Sequence, residues 1–513
     1  MAERVLTILE VSQKQAYIFS SNKLRDNITN SAVIAWVMSS DYFQEKIADP
    51  KVFDRKENFV YSGGGHVVLE FASREKAVCF TRKITYTIHS EYPGIEVFAV
   101  TLEYDGALTP GENLKELTKK LERKKSMRVS AFHQGTFGVE RLDTGTRKAV
   151  LLGRRENGMP KAEEQTDREL APKGYERVYK FGELGGTKHD SNFIAVVHID
   201  GNAMGARVAK VYEAYQDADW NTFKDNISRF SQAIDDDFKS AYKEMAETVA
   251  RNLESGNLKD LDIRDRNFPV RRIITAGDDI CYVTEGRIGV ESAAVFIRAL
   301  SRKENAVDKE RYAACAGVAI VHQKYPFYKA YELAESLCSN AKRFGANLSE
   351  DKTGGAISSI DWHIDFGELK DSLEEIRQDY AYGENENLAL RPYIVEAPEE
   401  ILAKERFRQY IHFRKLIRKI LSNDIAFARG KMKNLRQVLK QGEAAVQHYL
   451  KFNKIEDIAM DCYQGVYVND EIAGVGTGRG LERKMSVTTA DGVQRSLLFD
   501  AIEMMDTFVS LEE

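Results

Sequence analysis

At 513 residues the chain is longer than one hydrophobic core serves, and two to four domains are expected. Its 74 basic and 79 acidic residues leave a net charge of −5, and 43% hydrophobic residues fit a globular protein, which excludes a uniformly basic nucleic-acid coat. No run nears the ~20 apolar residues of a membrane span, no signal-peptide core opens the chain, and five scattered cysteines without a CxxC (Cys79, Cys281, Cys315, Cys338, Cys462) point to a reducing, cytoplasmic setting rather than a zinc knuckle or disulfide framework.

RVLTILEV alternates β-branched and other residues and predicts a first strand. Helix follows from about Ser31 to Lys46. NFVYSGGGHVVLEF then places two apolar strands around a glycine turn, the pattern of a hairpin. A helix over about Arg74 to Tyr92 and the strand IEVFAVTLEY complete a unit of strand, helix, hairpin, helix, strand. A charged helix, Gly111 to Ser130, opens a loop-like stretch that runs to about 190 and holds Gly185-Gly186.

The order then repeats. FIAVVHID (Phe193–Asp200) is a strand, and a long amphipathic helix covers about Asn221 to Leu253. VRRIITAGDDICYVTEG gives two strands around Gly277, Asp278 and Asp279. A helix spans about Gly289 to Arg302, then come the strand YAACAGVAIVH and the helix PFYKAYELAESLCSNAKRFG. The fold class expected is α+β: two ferredoxin-like palms, with right-handed crossovers setting each first strand beside its hairpin. The expected divisions are a first palm over 1–105, a linker over 106–190, a second palm over 191–366 and a helical domain over 367–513. Residues 404–440 hold twelve Lys or Arg against Glu405 and Asp424, either a phosphate-binding face or a solvated helical one.

Carboxylates on a tight apolar hairpin are costly without a partner. Asp278 and Asp279 occupy such a turn, and the topology brings Asp200, at the end of another apolar strand, alongside. Three carboxylates at one sheet edge can hold two Mg²⁺ or Mn²⁺ ions, which prefer carboxylates, water and substrate phosphates. The alternative is a plain polar turn. Gly277 permits a tight turn and close ligand approach. Gly201 and Gly205 lead into a helix whose free amides suit phosphate, and Lys342 is a candidate triphosphate contact.

IAVVHIDGNAMG, TAGDD, the strand and helix AGVAIVHQKYPFYKAYELAESLCSNAK and the closing SSIDWH together resemble the second palm of the large subunit of type III CRISPR effector complexes, Cmr type. The resemblance implies an ATP-using nucleotidyltransferase that makes cyclic oligoadenylates, or couples a nucleotide to another small acceptor, as an antiviral second messenger. It implies Asp200, Asp278 and Asp279 as catalytic metal ligands, and Gly201, Asn202, Gly205, Gly277 and Lys342 around the nucleotide. Guide or target RNA and other effector subunits are the partners it implies. Asn202 and Ala276 depart from the family's Asp and Gly. In the first palm Glu10 stands where a metal ligand would, and Ser62-Gly63-Gly64-Gly65-His66 replaces the acidic hairpin. Gly63, Gly64 and Gly65 either admit a second nucleotide or form a structural turn.

QAYIFSSNKLRDNITNS resembles the family's N-terminal segment, with Lys23 and Arg25 as nucleic-acid candidates beside Arg414, Lys415, Arg418 and Lys419. The chain opens at the first palm, so the family's histidine–aspartate nuclease domain is expected to be missing. His189-Asp190 reads as a loop, and GVERLDTGTRKAV as a cysteine-free remnant of the family's zinc segment. A silent RNA- or protein-binding scaffold is the competing reading.

Overall fold

The structure is a computed structural model, and it describes residues 4–127, 140–142, 149–151, 159–186, 192–264, 266–367, 372–422, 429–454, 486–489 and 491–513. The first palm runs β1 (Val5–Ser12), α1 (Lys14–Ile18), α2 (Leu24–Val37), α3 (Ser40–Lys46), α4 (Arg55–Asn58), β2 (Phe59–Gly63), β3 (His66–Phe71), α5 (Arg74–Glu91) and β4 (Glu96–Glu103). Its sheet order is β2-β3-β1-β4, antiparallel throughout. That is the ferredoxin-like arrangement. The inward residues of β1 and β3 are almost wholly apolar, and Phe43, Phe53, Phe71 and Phe80 pack edge and face against one another behind the sheet.

The linker contains α6 (Pro110–Ser126), a small hairpin of β5 (Glu140–Leu142) and β6 (Ala149–Leu151), and α7 (Lys161–Leu170). A capping box between Thr109 and Glu112 starts α6. The second palm follows with β7 (Phe193–Gly201), α8 (Met204–Ala214), α9 (Trp220–Glu254), β8 (Val270–Ala276), β9 (Asp279–Glu285), α10 (Gly289–Ser301), β10 (Ala314–His322), α11 (Phe327–Leu348) and β11 (Ser358–Asp365). With β14 (Tyr393–Glu396) from the C-terminal segment, the strand order is β14-β11-β10-β7-β9-β8, so the four-strand palm order recurs and is extended at one edge. β11 lies parallel to β10 after the α11 crossover. Helix α11 lies close on β10 because Gly317 has no side chain: a Cβ there would sit 2.0 Å from the Ala334 carbonyl. That close seating places the late part of α11 against the end of β7.

The C-terminal segment contains α12 (Leu373–Gln378), β12 (Ala381–Gly383), β13 (Glu386–Asn387), β14 (Tyr393–Glu396), α13 (Glu399–Lys404), α14 (Tyr410–Leu421), α15 (Arg429–Leu439), α16 (Glu443–Phe452), β15 (Ser486–Thr488), β16 (Gln494–Ser496) and α17 (Phe499–Glu503). It is therefore not purely helical. β14 pairs with β11 and joins the second palm's sheet, while β12, β13, β16 and β15 form a small sheet of their own. Buried Arg391 ties these pieces together through Asp500 at 3.0 Å and Glu503 at 2.6 Å.

The two palms exchange helices. α2 of the first packs on β8 of the second, and α9 of the second packs on β2 of the first. Ser231 of α9 donates to the Ser62 carbonyl at 3.0 Å. The consequence is that the two hairpin tips meet: the Gly64 amide lies 3.9 Å from where a Cβ on Gly277 would be.

Candidate active site

Strand β8 ends at Ala276, which pairs with Asp279, leaving Gly277 and Asp278 as a two-residue turn. The left-handed conformation falls on Gly277, at φ +65°, and Ala276 is not among the positive-φ residues. The alanine that departs from the family pattern is therefore unstrained. Strand β7 runs antiparallel to β9 with Asp200 opposite Asp279. The Gly201 amide donates to the Asp278 carbonyl at 3.2 Å, and the Gly277 amide to Asp235 Oδ1 at 3.3 Å. A Cβ on Gly201 would fall 2.9 Å from that of Asp278, so this position must stay small. The expected meeting of the three acids at one sheet edge is what the register produces.

Burial, and next to it the Asp200 charge, pushes the carboxyls of Asp278 and Asp279 up to about 7. Asp279 Oδ1 is buried without a hydrogen-bond partner. His198 Nδ1 lies 3.5 Å away, too far for a hydrogen bond, and burial pushes His198 toward the neutral form. Lys342 donates to Asp200 Oδ2 at 2.6 Å and to the Gly201 carbonyl at 2.8 Å. It sits among the acids rather than out in solvent.

This chemistry can be tested against a divalent cation. Among the described residues no group of three or more His, Cys, Asp or Glu could hold a metal ion by itself. Mg²⁺, however, is usually bound through one or two carboxylates and completed by water and substrate phosphate. Mutually repelling acids with an orphaned carboxylate oxygen fit that second kind of site.

The remaining nucleotide candidates divide. Ala203, at φ +55°, turns the chain into α8, whose first amides have no intrahelical partner, and nothing lies within 4 Å of a Cβ placed on Gly205. Asn202 faces elsewhere. It is buried, and its amide nitrogen donates to the Ile357 carbonyl at 2.7 Å and the Gly354 carbonyl at 3.2 Å. Its side-chain amide holds the loop before β11 instead of lining the open site.

The first palm is the same frame with other side chains. Glu10 opposes His66 as Asp200 opposes Asp279. Gly63 ends β2, and Gly64 and Gly65, at φ +55° and +80°, form the turn. Glu10 is paired with Lys125 of α6 at 3.0 Å. Between the palms lies a cavity of about 660 Å³, walled by Ile18, Ile28 and Ala32 on one side and Ile274 and Ala276 on the other. Lys14, Gly64, Gly65 and Asp279 stand at one part of it, and Glu163 and Arg272 also line it.

Sequence reasoning did not single out Lys14, Asp235 or His198. Lys14 and Asp235 belong to no motif and His198 is an unremarked position within IAVVHIDGNAMG, so only the strand register and helix exchange bring them in. Among the nucleic-acid candidates, Lys23 and Lys415 are exposed, and Arg25 lies over Tyr179 at 5.6 Å. Arg414 is committed to Glu291 at 2.9 Å and to the Leu511 carbonyl, and Arg418 to Glu512 at 2.8 Å. Lys419 sits in the last turn of α14. Cys462, His189-Asp190 and Asp143-Thr144-Gly145 lie outside the described residues.

Two ferredoxin-like sheets with acids at the first-strand and hairpin tips of the second define a palm-type α+β protein. Residues 193–348 match the family model described as Cas10/Cmr2, second palm domain, so this part of the chain is similar to that domain. No curated protein matches. Solved structures that resemble the chain include an apo Csm1–Csm4 cassette, at 16% identity and TM-score 0.48, covering 88% of this chain and 65% of that one. A Csm1–Csm4 cassette in complex with cA3 aligns at 17% identity and TM-score 0.45, covering 67% and 53%. Csm1 of T. onnurineus aligns at 15% identity and TM-score 0.42, covering 65% and 51%. The chain thus spans between half and two thirds of the length of these solved chains.

Proposed function

We propose that the chain is a metal-dependent, palm-type nucleotidyltransferase. It joins nucleoside triphosphates, ATP first among them, through 3′–5′ phosphodiester bonds into a cyclic oligonucleotide or a nucleotide conjugate that serves as an antiviral signal. The observation that carries this reading is the register pairing of Asp200 with Asp279 beside Asp278, with two of these carboxyls pushed to about 7. A stability-driven sequence has no reason to collect such acids, whereas a site for a cation and a polyphosphate does.

In the reaction, a 3′-hydroxyl attacks the α-phosphorus of a second nucleotide. The bond from that phosphorus to the bridging oxygen breaks, pyrophosphate leaves with the electron pair, and the hydroxyl proton passes to solvent. Asp200, Asp278 and Asp279, together with phosphate oxygens, would hold Mg²⁺ or Mn²⁺, which would supply activation of the hydroxyl and charge neutralisation at the leaving group. Lys342, which here donates to Asp200, would be free to contact the triphosphate when Asp200 binds a cation instead. The free amides at the start of α8 hold phosphate oxygens, and the apolar walls of the cavity exclude water from the base and ribose. Other effector subunits and guide or target RNA are the partners this reading implies.

The test is pyrophosphate release and product mass from the full chain with ATP, GTP or both, with Mg²⁺ or Mn²⁺, and with and without partner subunits and target RNA. Product lost in Asp278→Ala/Asp279→Ala supports the reading. No pyrophosphate under any of these conditions rejects it in favour of a silent scaffold.

A further inference from the structure

Lys14 is the first residue of α1 in the first palm, yet it lies at the active site of the second. Its ammonium donates to the Gly64 carbonyl, at the tip of the first palm's turn. The neighbouring Gly65 exists in the form this requires. It has φ +80°, and a Cβ on it would lie 2.6 Å from Lys14 Cδ and 3.2 Å from Nζ. By register, Gly65 occupies the position in the first palm that Asp278 occupies in the second. The absence of a side chain there leaves room for the lysine to reach the tip.

An ammonium has three protons. One is used on Gly64, and among the described residues the other two have no hydrogen-bond partner. Lys14 and Asp279 line the same cavity, and the positive charge of Lys14 acts to lower the carboxyl of Asp279. Lys342 is bound to Asp200, which the strand register sets opposite Asp279. A polyphosphate drawn to the acids by cations therefore meets one lysine from each palm.

We propose that Lys14 is a phosphate-binding residue contributed by the first palm, which contacts the polyphosphate of a nucleoside triphosphate seated between the two palms while its remaining proton keeps the Gly64 turn in place. This rests on the nucleotidyltransferase reading and extends it. The first palm then takes part in binding through a cation beside Gly65, where the second palm carries Asp278.

The experiment uses the full chain with Mg²⁺ and compares Kd for a non-hydrolysable ATP analogue with Kd for AMP. In Lys14→Gln the analogue should bind roughly 10- to 100-fold more weakly, the loss expected for one charged hydrogen bond, with AMP unchanged. A structural strut would weaken both ligands together or neither, and either pattern overturns the proposal. If wild type binds neither ligand, the nucleotidyltransferase reading falls and Lys14 with it. If wild type binds the analogue and Lys14→Gln binds it equally well, only the role of Lys14 falls. A second measurement requires no variant: lysine acylation of wild type, read by mass spectrometry, should show Lys14 protected by the analogue and not by AMP. Equal reactivity with and without the analogue overturns the proposal.

Discussion

Replacing Asp278 with Asn should make the protein more stable and less active at once. The wild-type carboxyl is raised from 3.8 to about 7 by burial and by Asp200. At 1.36 kcal/mol per unit, the ionised group costs the folded state at most about 4 kcal/mol at neutral pH. The side chains of Asp200 and Asp279 are 38% and 40% exposed, so solvent screens much of the repulsion. A gain of about 1–2 kcal/mol is the resulting expectation, or a melting temperature about 1–2 °C higher for a chain of this length. The sign follows from linkage. Because the folded pKa lies above the unfolded one, wild type loses stability as pH rises from about 4 to 7. The variant's advantage is thus absent at pH 4 and full at pH 8. Differential scanning calorimetry in EDTA at both values reads it. In Mg²⁺ with a non-hydrolysable ATP analogue, wild type should gain stability that the variant does not. A variant that melts below wild type at pH 8 in EDTA would refute the argument that these acids are held at a cost for a ligand.

Lys342→Ala should lower the rate of pyrophosphate release ~100-fold or more, as loss of one charged phosphate contact does; wild-type turnover would remove Lys342 from the site. Asn202→Asp should lower unfolding stability by ~2–3 kcal/mol in a urea titration, since it turns a carboxylate onto the Gly354 and Ile357 carbonyls. An unchanged midpoint would mean that this side chain does not hold the loop. Asp167→Asn should cost ~3–5 kcal/mol, because buried Asp167 accepts from Arg271 at 2.7 Å, Arg177 at 2.9 Å and Arg272 at 3.3 Å. Burial opposes ionisation of Asp167, but the arginines win and hold the carboxyl below its usual 3.8. Its contribution is present above about pH 4 and disappears as pH falls further, so wild type and variant should converge in an acid denaturation series.

The palm order was legible because each strand carries its own periodicity and the crossover rule leaves few ways to join strand, helix and hairpin. Asp200 opposite Asp279 follows from that rule once β7 is known to lie beside β9. Other features depend on partners far along the chain. Asn202 is the same residue whether it faces a ligand or two carbonyls. Which one it meets is decided by a loop some 150 residues away. β14 is four residues long, too short for a periodic signal, and it joins the second palm's sheet from a segment dominated by helical pattern. Arg414 and Arg418 look like part of a basic face until Glu291 and the C-terminal Glu512 are folded against them. Counting charges along a helix does not show which are already spent.

The two palms can also be compared position by position. The register sets Glu10 against Asp200, His66 against Asp279, and Gly65 against Asp278. In the second palm the acids remain in excess over the one lysine bound among them. In the first, Lys125 pairs with Glu10, and burial drives His66 toward the neutral form. Lys14 then adds a cation at the tip. Because α2 and α9 are exchanged between the sheets, these opposite tips are held facing each other and cannot drift apart without unpacking both palms. A polyanion between them meets carboxylates with their cations on one side and lysine on the other. The two tips thus differ in charge, and if Lys14 binds phosphate as proposed, the first palm would orient what the second acts on.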